Sequence, residues 1–229
     1  RWQDPRYGLP PVDAASAARG DSLYMVHCQT CHTVHERELD LPDRIEIDLT
    51  ALDSIRTDSS MAVDFIAHEI LSADGDTLGP AEALSSTLVK VWRKGRLFSL
   101  LINAFFDERR GEKGRITEDL RVYKARPLDG IWATGPFLHN GSVRNVYDIM
   151  LPAGQRADRF CVGRRTVEAD SLGFDSGLAN CARDGFFVLD TSLPGNRNTG
   201  HDGVAYGTSG PDALTHKDRM DIIEFIKTE

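Results

Sequence analysis

Cys28-Gln29-Thr30-Cys31-His32 is the stretch on which the reading of this chain turns. Two thiols separated by two residues and followed at once by an imidazole have the C-x-x-C-H spacing of c-type haem attachment. Each thiol adds to one vinyl group, so the pair clamps one edge of a porphyrin and carries the adjacent histidine beneath the iron. A thioredoxin-like redox pair would want a βαβ unit around the motif, whereas the flanking residues have a helical pattern. A zinc site would want a second Cys or His pair at matching spacing, and Cys161 and Cys181 are not in that form. The motif therefore predicts one covalent haem on Cys28 and Cys31, with His32 as the proximal iron ligand.

Working outward, A-A-S-A-A-R-G-D-S-L-Y-M-V-H predicts a helix from Asp13 to about Cys28, with Gly20 and Tyr24 on one face. A second helix is predicted from Thr215 to Thr228. Ile222, Ile223, Phe225 and Ile226 form its apolar stripe, and Lys217 and Arg219 lie outside it. Helical periodicity also runs through Met61–Leu71 and Leu84 to about Phe106, with shorter helices expected at Thr117–Lys124 and Val146–Met150. Pro5, Pro10 and Pro11 make residues 1–12 an extended arm. From Leu151 to Gly210 the composition turns to Gly, Asp, Arg and Asn, which reads as loop. A loop of about 60 residues is unusual in a compact domain unless it is functional or stapled. The organisation expected is an arm over 1–12 and a single haem domain over 13–229. Its fold class is mainly α, a cytochrome c-like helical domain enlarged by long loops.

The 229 residues include 41% hydrophobic and 27% charged side chains, so a folded globular chain is expected. A formal net charge of −8 argues against a nucleic-acid-binding face, which needs a basic surface. No apolar run approaches the roughly 18 residues of a membrane span; the longest, Leu97 to Phe106, is broken by Ser99 and Asn103. The opening Arg1-Trp2-Gln3-Asp4 has no signal-peptide pattern and reads as a mature N-terminus or a boundary within a longer product. Haem attachment implies export, and an oxidising compartment would join the remaining pair, Cys161 and Cys181. Closing a loop of about 20 residues contributes roughly 3 kcal/mol on the chain-entropy estimate. A periplasmic or otherwise exported protein is expected.

The block Y-K-A-R-P-L-D-G-I-W-A-T-G-P-F-L-H-N-G-S-V-R-N-V-Y-D-I-M-L-P, Tyr123 to Pro152, narrows the comparison. It resembles the C-terminal, electron-relay haem domain of the bacterial di-haem cytochrome c peroxidase superfamily, and is closest to the rubber-oxygenase-like branch. Gly195 to His201, G-N-R-N-T-G-H, is similar to that branch as well. Gly20 and Tyr24, just ahead of the haem motif, resemble the first helix of class I cytochromes c. There the glycine permits close crossing with an aromatic residue of the last helix, for which Phe225 is the candidate. Members of the superfamily have two C-x-x-C-H motifs, whereas this sequence has one, so it looks like the electron-relay half. The resemblance also brings in calcium, which the peroxidases often hold between their domains.

For the distal ligand, His27 and His35 adjoin the haem motif, His68 lies in a helical pattern and His216 opens the last helix. His139, in L-H-N-G-S, follows Pro136 within the block that, by the resemblance, lines the haem pocket, and suits a hydrogen bond to backbone or a propionate. His201 lies in a Gly- and Asn-rich loop ahead of the last helix. In the resembling peroxidases a Met from the corresponding region closes the relay haem, and in the rubber-oxygenase branch a His does so. The resemblance thus implies His201, with Met150 or an open, water-bound site as alternatives. Arg126 could answer a haem propionate, Trp132 could pack on the porphyrin, and Trp92 reads as core. The function expected is electron transfer by a six-coordinate, bis-His mono-haem domain working with a redox partner protein or companion domain. The alternative is a peroxidase or oxygenase with an open iron position, or a fragment of a di-haem enzyme.

Overall fold

A computed structural model describes residues 2–34, 48–71, 75–79 and 122–229. The chain divides into two compact units, one of Arg1–Asp58 with Tyr123–Glu229 and one of Ser59–Val122.

The first unit is built on two crossing helices, α1 (Ala14–His27) and α5 (His216–Ile226). Each starts where a side chain satisfies backbone N–H groups that the helix itself leaves unpaired. Asp13 accepts from the amides of Ala15 and Ser16. Thr215 and Asp218 form a reciprocal capping box. At the crossing sits Gly20, where an added Cβ would lie 2.0 Å from the Asp221 carbonyl oxygen. One turn on, the Tyr24 ring lies 5.0 Å from that of Phe225. Ile222 and Ile223 are fully buried beside them, and the same core takes in Trp2, Trp132, Phe137, Val143 and Leu172. Both terminal helices and their close glycine-mediated crossing therefore match the expectation. The N-terminal arm contains a 3-10 turn, Pro5–Tyr7, and is anchored by Trp2, whose indole N–H donates to the Pro10 carbonyl at 2.8 Å.

A buried carboxylate adds charge pairing to this crossing. Asp221 is 4% exposed and accepts from both Arg19 nitrogens of one guanidinium edge and from Lys217. Hydrogen bonds from Arg19 chiefly, with Lys217 helping, hold its pKa well below the ordinary carboxylate range. A depressed folded-state pKa contributes stability above the unfolded value, about 3.9, and that stability is lost as the pH falls through the folded value. Breaking a buried pair costs about 3–5 kcal/mol, but both cationic partners are half-exposed or more. We expect Asp221→Asn to lose about 2 kcal/mol at pH 7 after allowing for solvent screening. Its deficit against the wild type should shrink below pH 4 in urea titrations; a deficit independent of pH would refute the ionic account.

The expected fold class requires correction. Among the described residues, α1, α2 (Leu52–Ile55), α3 (Ser60–Ala67), α4 (Val146–Ile149) and α5 are accompanied by eight short strands in four two-stranded sheets. The fold is therefore not mainly α. β1 (Asp48–Ala51) pairs with β4 (Val122–Ala125), all but the first residue of which belongs to the first unit, and within that unit β5 (Arg159–Val162) pairs with β8 (Phe187–Asp190) and β6 (Val167–Glu168) with β7 (Gly173–Phe174). The antiparallel β5–β8 register sets Phe160 opposite Leu189 and Cys161 opposite Val188. The apolar and β-branched residues of R-F-C-V and F-V-L-D suit a pleated, half-buried surface. A disulfide joins Cys161 of β5 to Cys181, as expected, and closes the Gly- and Asp-rich loop between the two strands.

The expected helix over Thr117–Lys124 is a strand from Val122 onward, where V-Y-K-A has strand propensity; residues 117–121 lie outside the described residues. In the second unit α3 ends at Ala67, short of the expected Leu71. Ile70 and Leu71 instead form β2, paired with β3 (Thr77–Leu78). Leu84–Phe106, with Trp92, lies outside the described residues, as does His35. Val146–Met150 is helical as expected, as α4 with Met150 at its C-cap.

Candidate functional site

The C-terminal end of α1 presents the haem motif. Cys28 N–H still donates to Tyr24 O at 2.8 Å, and His32 N–H donates back to Cys28 O at 2.8 Å. The two thiols and the imidazole therefore leave one tight turn together. The Tyr24 hydroxyl donates to His32 O at 2.6 Å, tying the turn to the α1–α5 core. His32 Nδ1 lies 2.6 Å from the Arg126 carbonyl oxygen. A carbonyl can only accept, so Nδ1 carries the proton and Nε2 keeps its lone pair, the arrangement typical of metal-bound histidines.

His201 faces it. The two imidazoles lie 6.3 Å apart between ring centroids and 22° from parallel. An imidazole nitrogen binds a first-row metal at about 2 Å and sits roughly 1 Å from its own ring centre, so two rings on opposite sides of one metal are about 6 Å apart. His201 Nδ1 is buried with no hydrogen-bond partner among the described residues. Burial first, then the His32 imidazole and the Arg156 guanidinium, push the His201 pKa down to about 3. Burial also lowers His32, with its bond to Arg126 and the Asp48 charge acting in opposition. Both rings are thus neutral near pH 7, the form that can ligate. Facing neutral rings, an orphaned ring nitrogen and two unpaired thiols at Cys28 and Cys31 fit a covalently attached haem.

The loop carrying His201 has special geometry. Gly200 has φ +92° and His201 φ +47°, the left-handed region. A Cβ at Gly200 would meet Thr57 Cγ2 at 2.4 Å. The His201 amide donates to Ile55 O at 3.2 Å. Asp202, adjacent to the ring, accepts instead from Thr208 and from the Ala153 amide. Tyr206 lies 5.4 Å from the His201 ring.

The other expected site residues divide. Arg126 contributes its carbonyl to His32 while its own residue is exposed. Trp132 is 8% exposed and packs edge-to-face on Trp2 at 5.4 Å, within the core that Cys28 also touches. His139 stacks on Tyr123 at 4.1 Å, and both its ring nitrogens are buried with no partner among the described residues. Burial lowers its pKa against the opposing charge of Asp58. Met150 sits in the hydrophobic core with Val146 and Ile222, and His201 holds the position facing His32. His216 pairs with the Tyr147 hydroxyl, and His68 with Asp64 O. Two participants were missed from sequence, the Tyr24 hydroxyl and the Arg156 guanidinium. In the sequence Tyr24 reads only as a helix-crossing residue, and Arg156 stands in a loop with no motif to mark it.

Among the described residues no group of three or more His, Cys, Asp or Glu side chains could hold a metal ion, so calcium finds no cluster there. No helix among them is long and apolar enough to cross a membrane.

Residues 122–161 match the RoxA-like, cytochrome c-like family. That segment contains the Tyr123–Pro152 block and the carbonyl that orients His32, and the match supports a cytochrome c-like haem domain of that branch. Over its full length the chain is 31% identical to the uncharacterized protein y4iJ of Sinorhizobium fredii (strain NBRC 101917 / NGR234), covering 41% of that protein. It is 29% identical to the uncharacterized protein y4iM of the same strain, with 96% of this chain and 51% of the relative aligned. The chain thus spans about half or less of the curated relatives it matches.

Proposed function

We propose that this chain is a mono-haem c-type electron-transfer domain in which Cys28 and Cys31 hold the porphyrin and His32 and His201 ligate its iron. The observation that carries the reading is the facing pair of imidazoles, 6.3 Å apart and 22° from parallel. The haem, when bound, supplies a one-electron couple. The chain supplies two neutral nitrogen ligands on opposed supports, one fixed through the Arg126 carbonyl and the other in the 195–201 loop. A site closed on both faces gives a small molecule no place on the metal, which favours electron relay over peroxide or oxygen chemistry. Bis-His ligation puts the potential below that of a Met/His cytochrome. A buried imidazole without a partner is costly, and a haem propionate would satisfy His139, with the exposed Arg126 guanidinium as a second partner. Trp132 stands in the core against which Cys28 also packs, where it would lie against a bound porphyrin. The electrons pass to a redox partner protein or companion domain. The Cys161–Cys181 disulfide and the thioether motif together favour an exported, periplasmic setting.

The test is spectroscopic. Protein matured with haem should keep it through acid–acetone extraction, and should show a low-spin ferric spectrum without the far-red sulfur-to-iron band of Met ligation. Turnover of peroxide with a good donor should stay below the enzymatic range of about 1–10³ per second. Extractable haem, a high-spin resting iron, or turnover inside that range would each overturn the reading.

A further inference from the structure

Arg156 is 4% exposed, yet it stands in a loop and bonds to no carboxylate among the described residues. Among the described residues its guanidinium donates only to main-chain carbonyls. Nε reaches Asp148 O and Leu151 O at 3.0 and 3.1 Å, and Nη1 reaches Asn198 O and Gly200 O at 2.6 and 2.8 Å. Nη2 reaches Ile149 O and His201 O, both at 3.0 Å. Three of the six acceptors belong to the α4 end and three to the loop that carries His201.

A buried cation has an effective desolvation penalty of several kcal/mol, and burial outweighs the favourable Asp202 and Asp148 charges at Arg156. What this cation does is join two segments whose carbonyls would otherwise repel or go unpaired. The His201 peptide is then fixed on both sides, with its N–H on Ile55 O and its C=O on Arg156. Those two bonds hold a residue with a Cβ in the left-handed region, at φ +47°, which a free loop avoids. The orientation of the peptide sets the direction of the Cα–Cβ bond, and hence of the ring that faces His32.

We propose that Arg156 is a positioning residue for the distal ligand, bracing the 198–201 loop so that the His201 imidazole stays opposite His32. The proposal rests on the reading of His201 as an iron ligand. Only Arg has five N–H groups in a flat fork; Lys offers three on one atom, so Arg156→Lys keeps the charge and loses the brace.

The experiment compares haem-loaded wild type, Arg156→Lys and His201→Ala, reading ferric spin state and the rate of carbon monoxide binding to the ferrous form. Each lost hydrogen bond releases about 1 kcal/mol of restraint, and one to two kcal/mol changes a population about 5- to 30-fold. Arg156→Lys should therefore bind carbon monoxide about 5-fold faster or more, and show a high-spin ferric fraction that added imidazole abolishes. If His201→Ala opens the site while Arg156→Lys keeps the wild-type spin state and rate, the bracing role is refuted and the ligand reading stands. If His201→Ala leaves the spectrum unchanged, both fall. A purely structural Arg156 would lower the unfolding midpoint without moving either iron readout. Should Arg156→Lys not fold, Arg156→Gln, which retains two donors, is judged by the same two readouts.

Discussion

Gly20→Ala should destabilise the protein by about 3 kcal/mol, although helix propensity alone forecasts a gain of about 1 kcal/mol from replacing a mid-helix glycine. The opposite sign follows from the crossing. The new Cβ would lie 2.0 Å from Asp221 O and 2.5 Å from its carbonyl carbon, both main-chain atoms of α5. A flexible side chain could swing away, but a carbonyl inside a helix moves only with the helix. Relieving the overlap means separating α1 from α5, whose Tyr24, Ile222, Ile223 and Phe225 share one buried core. Overpacking a core costs about 1–3 kcal/mol, occasionally more, and a backbone-on-backbone clash belongs at the upper end. Gly20→Val should go further and leave little folded protein. Urea unfolding at neutral pH reads the effect as a lower midpoint with an unchanged slope. A midpoint equal to or above that of the wild type would mean that the helices do not cross at Gly20.

The parts legible in the sequence are those in which short-range chemistry suffices. C-x-x-C-H and the stripe Ile222, Ile223, Phe225, Ile226 each announce themselves within a few residues, and α1 and α5 follow. Gly20 and Tyr24 were readable because a glycine four residues from an aromatic, ahead of a haem motif, has a packing reason. The strands were not readable. Pairs such as Val167–Glu168 with Gly173–Phe174 are two residues long and gain their stability from what they pack against, not from a period of their own. The site splits the same way. As candidate ligands, His32 is marked by the motif and His201 by resemblance, while Arg126 meets His32 through its carbonyl, which any residue possesses. Arg156 was invisible for a related reason. Its partners among the described residues are six main-chain oxygens, five to eight residues before it or more than forty after it, and backbone acceptors leave no mark on composition.

His201→Ala should convert the ferric iron from low to high spin and let carbon monoxide reach the ferrous iron about 10- to 1000-fold faster. The range follows from how a closed site binds an outside ligand. With His201 ligating as proposed, carbon monoxide would wait for the imidazole to leave, and a gap of a few kcal/mol would keep that open state at about 0.1–10%. Removing the ring makes the open state the whole population, so the rate rises by the inverse of that fraction. The fold should tolerate the change. The helices α1 and α5 and the proximal Tyr24–His32–Arg126 linkage do not involve the His201 ring, and the bonds to Ile55 and Arg156 use only its main chain. Alanine does leave a Cβ in the left-handed conformation, as histidine did. Added imidazole should enter the vacated space and restore the low-spin spectrum, which separates a missing ligand from a collapsed pocket. Met150 cannot substitute by a local shift, because its side chain is packed in the core and its carbonyl is bonded to Arg219. A His201→Ala protein that stays low spin, binds carbon monoxide at the wild-type rate and ignores imidazole would show that another group holds the distal face.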